Sequence, residues 1–372
     1  MKTVVIVTDS THPTLTYAAV ELRSFLEQTT NLYITLKGSH PDYLFTLVKD
    51  PALKETSYAV RVSGDKGCTT VTLSGHNEAC VLHAVYEMLE RCGICFDILN
   101  PILPAQLDLS ALVPGEQITT PFVKQRGIRQ HINFAMDISS YPLAEALEYI
   151  RNMARMRMNH ITFHSYSGQW FGYTKDGTFK HGGNFFYGTR FDIPSTELFS
   201  RNIRNRAIYC IPEIETVVEQ PEVRSRMATG WLNTVMAECK RCGLHVQLSI
   251  EPPGETHEEG VAICREVMKL YPLIDTLELV TPECGNSNFT PDVAGLKAYL
   301  VELFGASVLE DKELVASLKD NLYQIEGGLR HCARNIKIVA ELTASPGPCL
   351  PAMAIGAYIT CPDCLRVLHF IM

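Results

Sequence analysis

From Arg126 onward the chain repeats one pattern, a short apolar-alternating strand followed by an amphipathic helix. Strands fit 127–134, 160–165, 207–212, 244–250 and 276–281, and a sixth fits Ala354–Thr360. Helices fit near 142–158, 195–205, 222–242, 257–271 and 312–333. Strictly alternating strands and helices leave room for little except a parallel sheet with helical crossovers. Several of these strands carry polar residues on one face, so the α/β sheet is expected to curl into a TIM-type (β/α) barrel with that face inward. About six of the eight units of such a barrel are visible in the sequence. The barrel is therefore expected to be incomplete at the C-terminus, Met372 falling within a sixth helix.

The first strand of this repeat reads Ile128-Arg129-Gln130-His131-Ile132-Asn133-Phe134. At a period of two, Ile128, Ile132 and Phe134 share one face, and Arg129, His131 and Asn133 the other. A helix follows, with Ser139 and Ser140 as N-cap candidates, Pro142 in the first turn, and Leu143, Leu147, Ile150, Ala154 and Met158 at helical spacing. The next strand, His160 to His164, sets Ile161 and Phe163 against Thr162 and His164. If the apolar pair meets the helix, His164 points into the barrel at the carboxyl end of its strand, where catalytic groups of this architecture sit.

Residues 1–115 read as a smaller α/β domain. Strands fit Thr3–Thr8, Tyr33–Lys37, Tyr43–Val48, Tyr58–Ser63 and Thr69–Ser74, with helices at about Thr14–Glu27 and Asn77–Arg91. Four prolines between Pro101 and Pro121 and little periodicity mark the connection, with residues 116–125 as the linker and 126–372 as the barrel domain.

Composition removes several classes. A net charge of −8 with no Lys/Arg-rich run excludes nucleic acid as the expected partner. No apolar run approaches the roughly 18 residues of a membrane span, and no signal peptide precedes the first strand, so no membrane association is expected. Thirteen scattered cysteines suit a reducing cytoplasm better than a disulfide framework. The three C-x-x-C pairs, Cys92/Cys95, Cys239/Cys242 and Cys361/Cys364, stand more than 100 residues apart and read as structural rather than as zinc or redox sites. Phosphate-loop, dinucleotide, zinc-helix and nucleophile-elbow motifs are absent, and no cofactor or metal is expected.

The segments Ala18-Ala19-Val20-Glu21-Leu22-Arg23-Ser24-Phe25-Leu26, Gly75-His76-Asn77 and Ala84 to Gly93 resemble the accessory N-terminal domain of β-hexosaminidases and α-glucuronidases. Arg126-Gly127-Ile128 through His164 resembles the start of their catalytic barrel, and Ile211-Pro212-Glu213-Ile214-Glu215 is similar to the end of the third barrel strand in hexosaminidases. The Arg129 to Phe134 strand and Phe163-His164-Ser165-Tyr166 also resemble bacterial α-galacturonidase-like proteins. The likeness covers roughly residues 1–285. The Gly-Gly-Asp-Glu tetrapeptide that ends the fourth hexosaminidase strand is missing, so the Asp that steers an acetamido group there has no counterpart. A uronide fits the inward Arg129 and His131 better.

That resemblance implies hydrolysis of a glycosidic bond, which needs one carboxyl group to protonate the leaving oxygen and another as nucleophile or base. In the fourth strand Leu244, Val246, Leu248 and Ile250 alternate with His245, Gln247, Ser249 and Glu251, which places Glu251 at the carboxyl end of the polar face. Glu283 follows the fifth strand at the same level, although Glu278 is the residue opposite Leu277 and Leu279. Glu251 and Glu283 are therefore the candidate catalytic pair, expected across one cleft with Arg129 and His164. Arg129, His131, His164, Tyr166, Trp170 and Glu213 are the candidate substrate-binding residues, with Tyr166 and Trp170 as stacking surfaces. Asp137 reads as a helix-entry residue. The expected function is a glycosidase removing a terminal sugar, a uronic acid, from a saccharide. The rival readings are a non-catalytic carbohydrate-binding protein, a hexosaminidase-like glycosidase, and a metal-dependent sugar isomerase using His164, Glu213, Glu251 and Glu283. An open barrel leaves strand edges and apolar surface uncovered, which favours homo-oligomerisation.

Overall fold

The computed structural model describes residues 2–8, 10–35, 41–65, 67–132, 134, 137–166, 170–171, 210–252, 256–281, 293–318, 322–344 and 350–356. They fall into two compact units. The first holds the described residues within Met1–Phe163, Asn184–Glu219 and Arg226–Val246, and the second those within His164–Gly183, Gln220–Ser225 and Gln247–Met372.

The first unit opens with β1 (Thr3–Thr8), α1 (Pro13–Thr29), β2 (Tyr33–Thr35), β3 (Tyr43–Lys49), β4 (Tyr58–Asp65), β5 (Cys68–Gly75), α2 (Glu78–Arg91) and β6 (Gly115–Thr119). The six strands form a sheet in the order β2-β1-β3-β5-β4-β6, in which β4 runs antiparallel to both neighbours. Leu15, Ala18, Leu22, Phe25 and Leu26 of α1 and Val81, Ala84, Val85, Met88 and Leu89 of α2 are buried. Each such leucine contributes about 1.5–3 kcal/mol by leaving water. The linker expected at residues 116–125 begins inside this sheet, because β6 pairs with β4 from Gly115↔Val62 to Thr119↔Tyr58. All of β6 is exposed or half-buried, which is why its hydrophobic pattern is faint.

Next come β7 (Gly127–His131), α3 (Leu143–Arg155) and β8 (His160–Ser165). Beyond them lie α4 (Pro221–Arg241), β9 (His245–Ile250), α5 (His257–Leu270), β10 (Thr276–Val280), α6 (Val293–Phe304), α7 (Lys312–Ser317), α8 (Leu322–Ala344) and β11 (Ala352–Gly356). A second sheet has the order β11-β10-β9-β8-β7, and the pairings of β9 with β10 and of β10 with β11 are parallel. Adjacent strands thus follow chain order with helices between them, the α/β arrangement that the alternation predicts.

Several local details depart from the sequence reading. Ser139 and Ser140 do not cap α3: they belong to a 3-10 turn at Ile138–Ser140 whose cap is Asp137, accepting from Ser139 N at 2.9 Å. The α3 helix stops at Arg155 rather than Met158, and Arg157 turns the chain with a φ of 60°. The helix expected at 312–333 is divided into α7 and α8. Leu314 and Leu318 join Leu296, Leu300 and Val308 in a cluster with α6, a helix the strand-helix pattern did not contain.

A buried polar network ties the helices of the first unit together. Arg155 of α3 donates to both carboxylate oxygens of Glu21 of α1, at 2.9 and 3.1 Å, and Tyr86 of α2 donates to Glu21 at 3.1 Å. Arg151 adds a 2.6 Å bond to Glu238 of α4. Cys239 and Cys242, the C-x-x-C pair at the end of α4, are buried free thiols, and burial pushes Cys242 up to about 12. Cys92 is buried and Cys95 exposed, both free, and Cys361/Cys364 lies outside the described residues. Among the described residues no helix is long and apolar enough to cross a membrane.

Candidate active site

In the second unit the geometry centres on the carboxyl ends of β8 and β9. His164 is fully buried, and its Nδ1 lies 3.0 Å from Ser249 Oγ of β9. Its Nε2 lies 3.6 Å from Glu251 Oε1, one residue beyond the end of β9. That separation is too long for a hydrogen bond and short enough for strong electrostatic coupling once the imidazole is protonated. Tyr166 sets its ring edge-on to His164, with centroids 4.6 Å apart at 89°. The alternation of β8 and β9 produces this arrangement. Ile161, Phe163, Val246, Leu248 and Ile250 are fully buried apolar residues, and the polar positions between them fall on the other face. Directly after Glu251, the Pro252 carbonyl accepts a 2.8 Å bond from Arg334 of α8, which fixes the chain leaving the strand.

Glu251 keeps 14% of its side chain exposed. A carboxyl group beside a buried imidazole, at the end of a parallel strand and open to solvent on one edge, can exchange protons and accept hydrogen bonds from hydroxyl groups. Ser249 stands opposite Glu278 in the β9–β10 register, so Glu278 shares its sheet face and is half-buried there. A Cβ on Gly356 of β11 would lie 2.8 Å from Glu278 Oε1. A glycine at 356 is what gives that carboxylate its room. The Leu277-Glu278-Leu279 alternation is the sequence signal that sets Glu278 on this face. Glu283 and Asn133 lie outside the described residues.

Trp170 is not placed as a stacking surface. It is fully buried, with the Arg224 guanidinium 5.1 Å from its ring centroid. The Tyr271 hydroxyl bonds the carbonyl of the neighbouring Phe171, holding this turn inside the unit.

In the first unit, Gln130 Nε2 donates to Tyr149 Oη of α3 at 3.0 Å, so the even-numbered residues of β7 face that helix. Arg129, exposed, and His131, half-buried with its ring 5.3 Å from that of Phe134, lie on the opposite face. Gly127 is pressed against β8: a Cβ there would stand 1.9 Å from the His160 carbonyl oxygen. His160 stacks on His245 at 5.1 Å and 12°, a histidine pair at the amino ends of β8 and β9 that the sequence reading did not use. Glu213 lies on a 3-10 turn at Pro212–Val217 instead of a strand end, and its carboxylate accepts from Leu143 N at 2.8 Å. There it serves the first turn of α3, where Pro142 has no side chain to cap with and a negative charge favours the helix dipole. Among the described residues no group of three or more His, Cys, Asp and Glu is set to hold a metal ion.

Neither protein-family models nor curated proteins match the chain. Solved structures do. A GH20 exo-β-N-acetylglucosaminidase from Vibrio harveyi, with N-acetylglucosamine bound, is 13% identical over 99% of this chain and 56% of its own, with a TM-score of 0.47. A GH115 4-O-methyl-α-glucuronidase with specificity for decorated arabinogalactans is 11% identical over 99% of this chain and 43% of its own, TM-score 0.48. A GH138 enzyme targeting pectin rhamnogalacturonan II is 12% identical over 84% of this chain and 34% of its own, TM-score 0.43. The chain spans between about a third and just over half the length of these three proteins.

Proposed function

We propose that the chain is a glycoside hydrolase that removes a terminal uronic acid from a saccharide. Glu251 is one of its two catalytic carboxyl groups and Glu283 the other. The observation that carries this reading is the Glu251–His164–Ser249 cluster at the carboxyl ends of two parallel strands, the place where such folds collect their chemistry. His164 couples to the Glu251 carboxyl, and Ser249 orients the imidazole from its far nitrogen. Tyr166 offers an aromatic edge and a hydroxyl beside them. Arg129 and His131 are assigned to the substrate carboxylate, because a guanidinium matches a carboxylate in a bidentate fork that a neutral hydroxymethyl group cannot reproduce.

The test is release of 4-nitrophenol from the α- and β-anomers of 4-nitrophenyl galacturonide, glucuronide and galactoside. A uronide should be cleaved in preference to its neutral counterpart, and Arg129→Gln should raise KM for the uronide while leaving the galactoside unchanged. Equal cleavage of both types, unaffected by Arg129→Gln, would remove the uronide assignment and leave the glycosidase reading standing.

A further inference from the structure

We propose that the first unit carries a binding site for a neutral saccharide, separate from the Glu251 cluster. An open surface cleft of about 570 Å³ lies where the amino ends of β1 and β3 meet the carboxyl end of α1, with Lys2, Asn31, Gln106 and Asp108 exposed along it. That volume lies within the range of about 300–1,000 Å³ typical of small-molecule sites. Its lining includes Lys2, Thr30, Asn31, Tyr43, Gln106 and Asp108. The chemistry of this set is that of hydroxyl recognition. Asn31 and Gln106 each carry both a donor and an acceptor, Thr30 a hydroxyl, Asp108 acceptors and Lys2 donors. Tyr43 supplies the aromatic surface, and the Lys2 ammonium stands 5.6 Å from its ring centroid, held there by cation–π attraction.

The frame around these groups is fixed by backbone bonds. Leu107 N donates to the Thr29 carbonyl at 3.0 Å, which docks the 106–109 segment onto the end of α1, and Tyr33 N donates to the Lys2 carbonyl at 3.0 Å. Asp108 is oriented by Ser110, whose N and Oγ donate to its Oδ1 at 3.0 and 2.6 Å. Charge selects against an anion. The cleft faces the carboxyl end of a 17-residue helix, where the dipole is negative, and among the described residues its lining carries one cation, Lys2, and one carboxylate, Asp108. A neutral pyranose meets all of these groups with hydroxyls and loses nothing to that field.

The experiment is ligand-observed saturation-transfer NMR on the full chain, with a panel of methyl glycosides of glucose, galactose, mannose, xylose and N-acetylglucosamine, and methyl galacturonide for comparison. At least one neutral glycoside should bind, and bind equally to the Glu251→Gln variant. Tyr43→Ala and Asn31→Ala should each weaken it by about tenfold, equivalent to about 1.4 kcal/mol. The folded state of each variant is checked by its thermal transition, and the milder Tyr43→Phe, which keeps the ring, should retain binding if Tyr43→Ala does not fold. The proposal is overturned if no neutral glycoside binds, if Tyr43→Ala and Asn31→Ala both leave binding unchanged, or if binding disappears with Glu251→Gln, which would assign the signal to the other site.

Discussion

Glu251 and His164 lie 3.6 Å apart, the histidine fully enclosed and the glutamate open on one edge. Enclosure holds the imidazole beside the Oε1 of that carboxylate, which keeps part of its side chain in contact with solvent. His164 is a positioning residue in this account. His164→Asn should lower kcat more than it raises KM and displace the pH profile, since the charge coupling to Glu251 is lost. A change in thermal stability with an unaltered pH profile would mean that His164 only fills space.

The Gly356–Glu278 contact predicts a steric double-mutant cycle. Gly356→Ala should destabilise the protein by less than the roughly 1–3 kcal/mol usual for core overpacking, because the atom it meets is the end of a flexible side chain that can turn aside. Combining it with Glu278→Ala should restore most of that loss, because the clash at 2.8 Å is with the carboxylate itself. Chemical denaturation of the four proteins checks this, and strictly additive losses would contradict the contact.

Two buried groups give opposite pH dependences. Burial pushes the Asp137 carboxyl from 3.8 up to about 6, so the folded chain holds its proton more tightly than the unfolded one. Its contribution is full below pH 3.8 and is lost as pH rises through about 6. Burial pushes His83 from 6.5 down to about 3, so its contribution is present above pH 6.5 and lost as pH falls toward 3. Urea titrations from pH 4 to pH 7 should therefore show opposite differences from wild type. Asp137→Asn should remove a fall in stability with rising pH, and His83→Gln should remove a fall with lowering pH. Parallel curves for wild type and both variants would refute the assignment.

Arg155→Leu leaves the Glu21 carboxylate buried without its guanidinium partner, and a loss of about 3–5 kcal/mol is expected. Glu21→Leu together with Arg155→Leu should recover part of it, since the unpaired buried charge is gone while the Tyr86 hydroxyl loses its acceptor. Thermal unfolding of the single and double variants measures the difference.

The strands that build the candidate site were legible because their alternation is local. His160–Ser165 and the polar set of His245, Ser249 and Glu251 follow from a period of two and from the stop at Pro252-Pro253-Gly254. What escaped the sequence depends on contacts between distant residues. Trp170 is buried because Arg224 and Tyr271 close over its turn. Glu213 serves α3 because Leu143, 70 positions away in sequence, presents an unsatisfied N–H. The β6 strand carries little signal in the sequence because its residues are largely exposed and its partner, β4, lies some 55 residues earlier. Glu278 sits between these cases: the alternation marks it, but only the pairing with Ser249 sets it on the His164 face.

The central claim, that Glu251 performs chemistry on a glycosidic bond, is tested most directly by the rate of 4-nitrophenol release from the best 4-nitrophenyl glycoside, measured for wild type and Glu251→Gln at equal fold stability. A fall in kcat of about a hundredfold or more is predicted, in keeping with removal of an acid–base or nucleophilic carboxyl group. Turnover within a few-fold of wild type would contradict it and take Glu251 out of the mechanism.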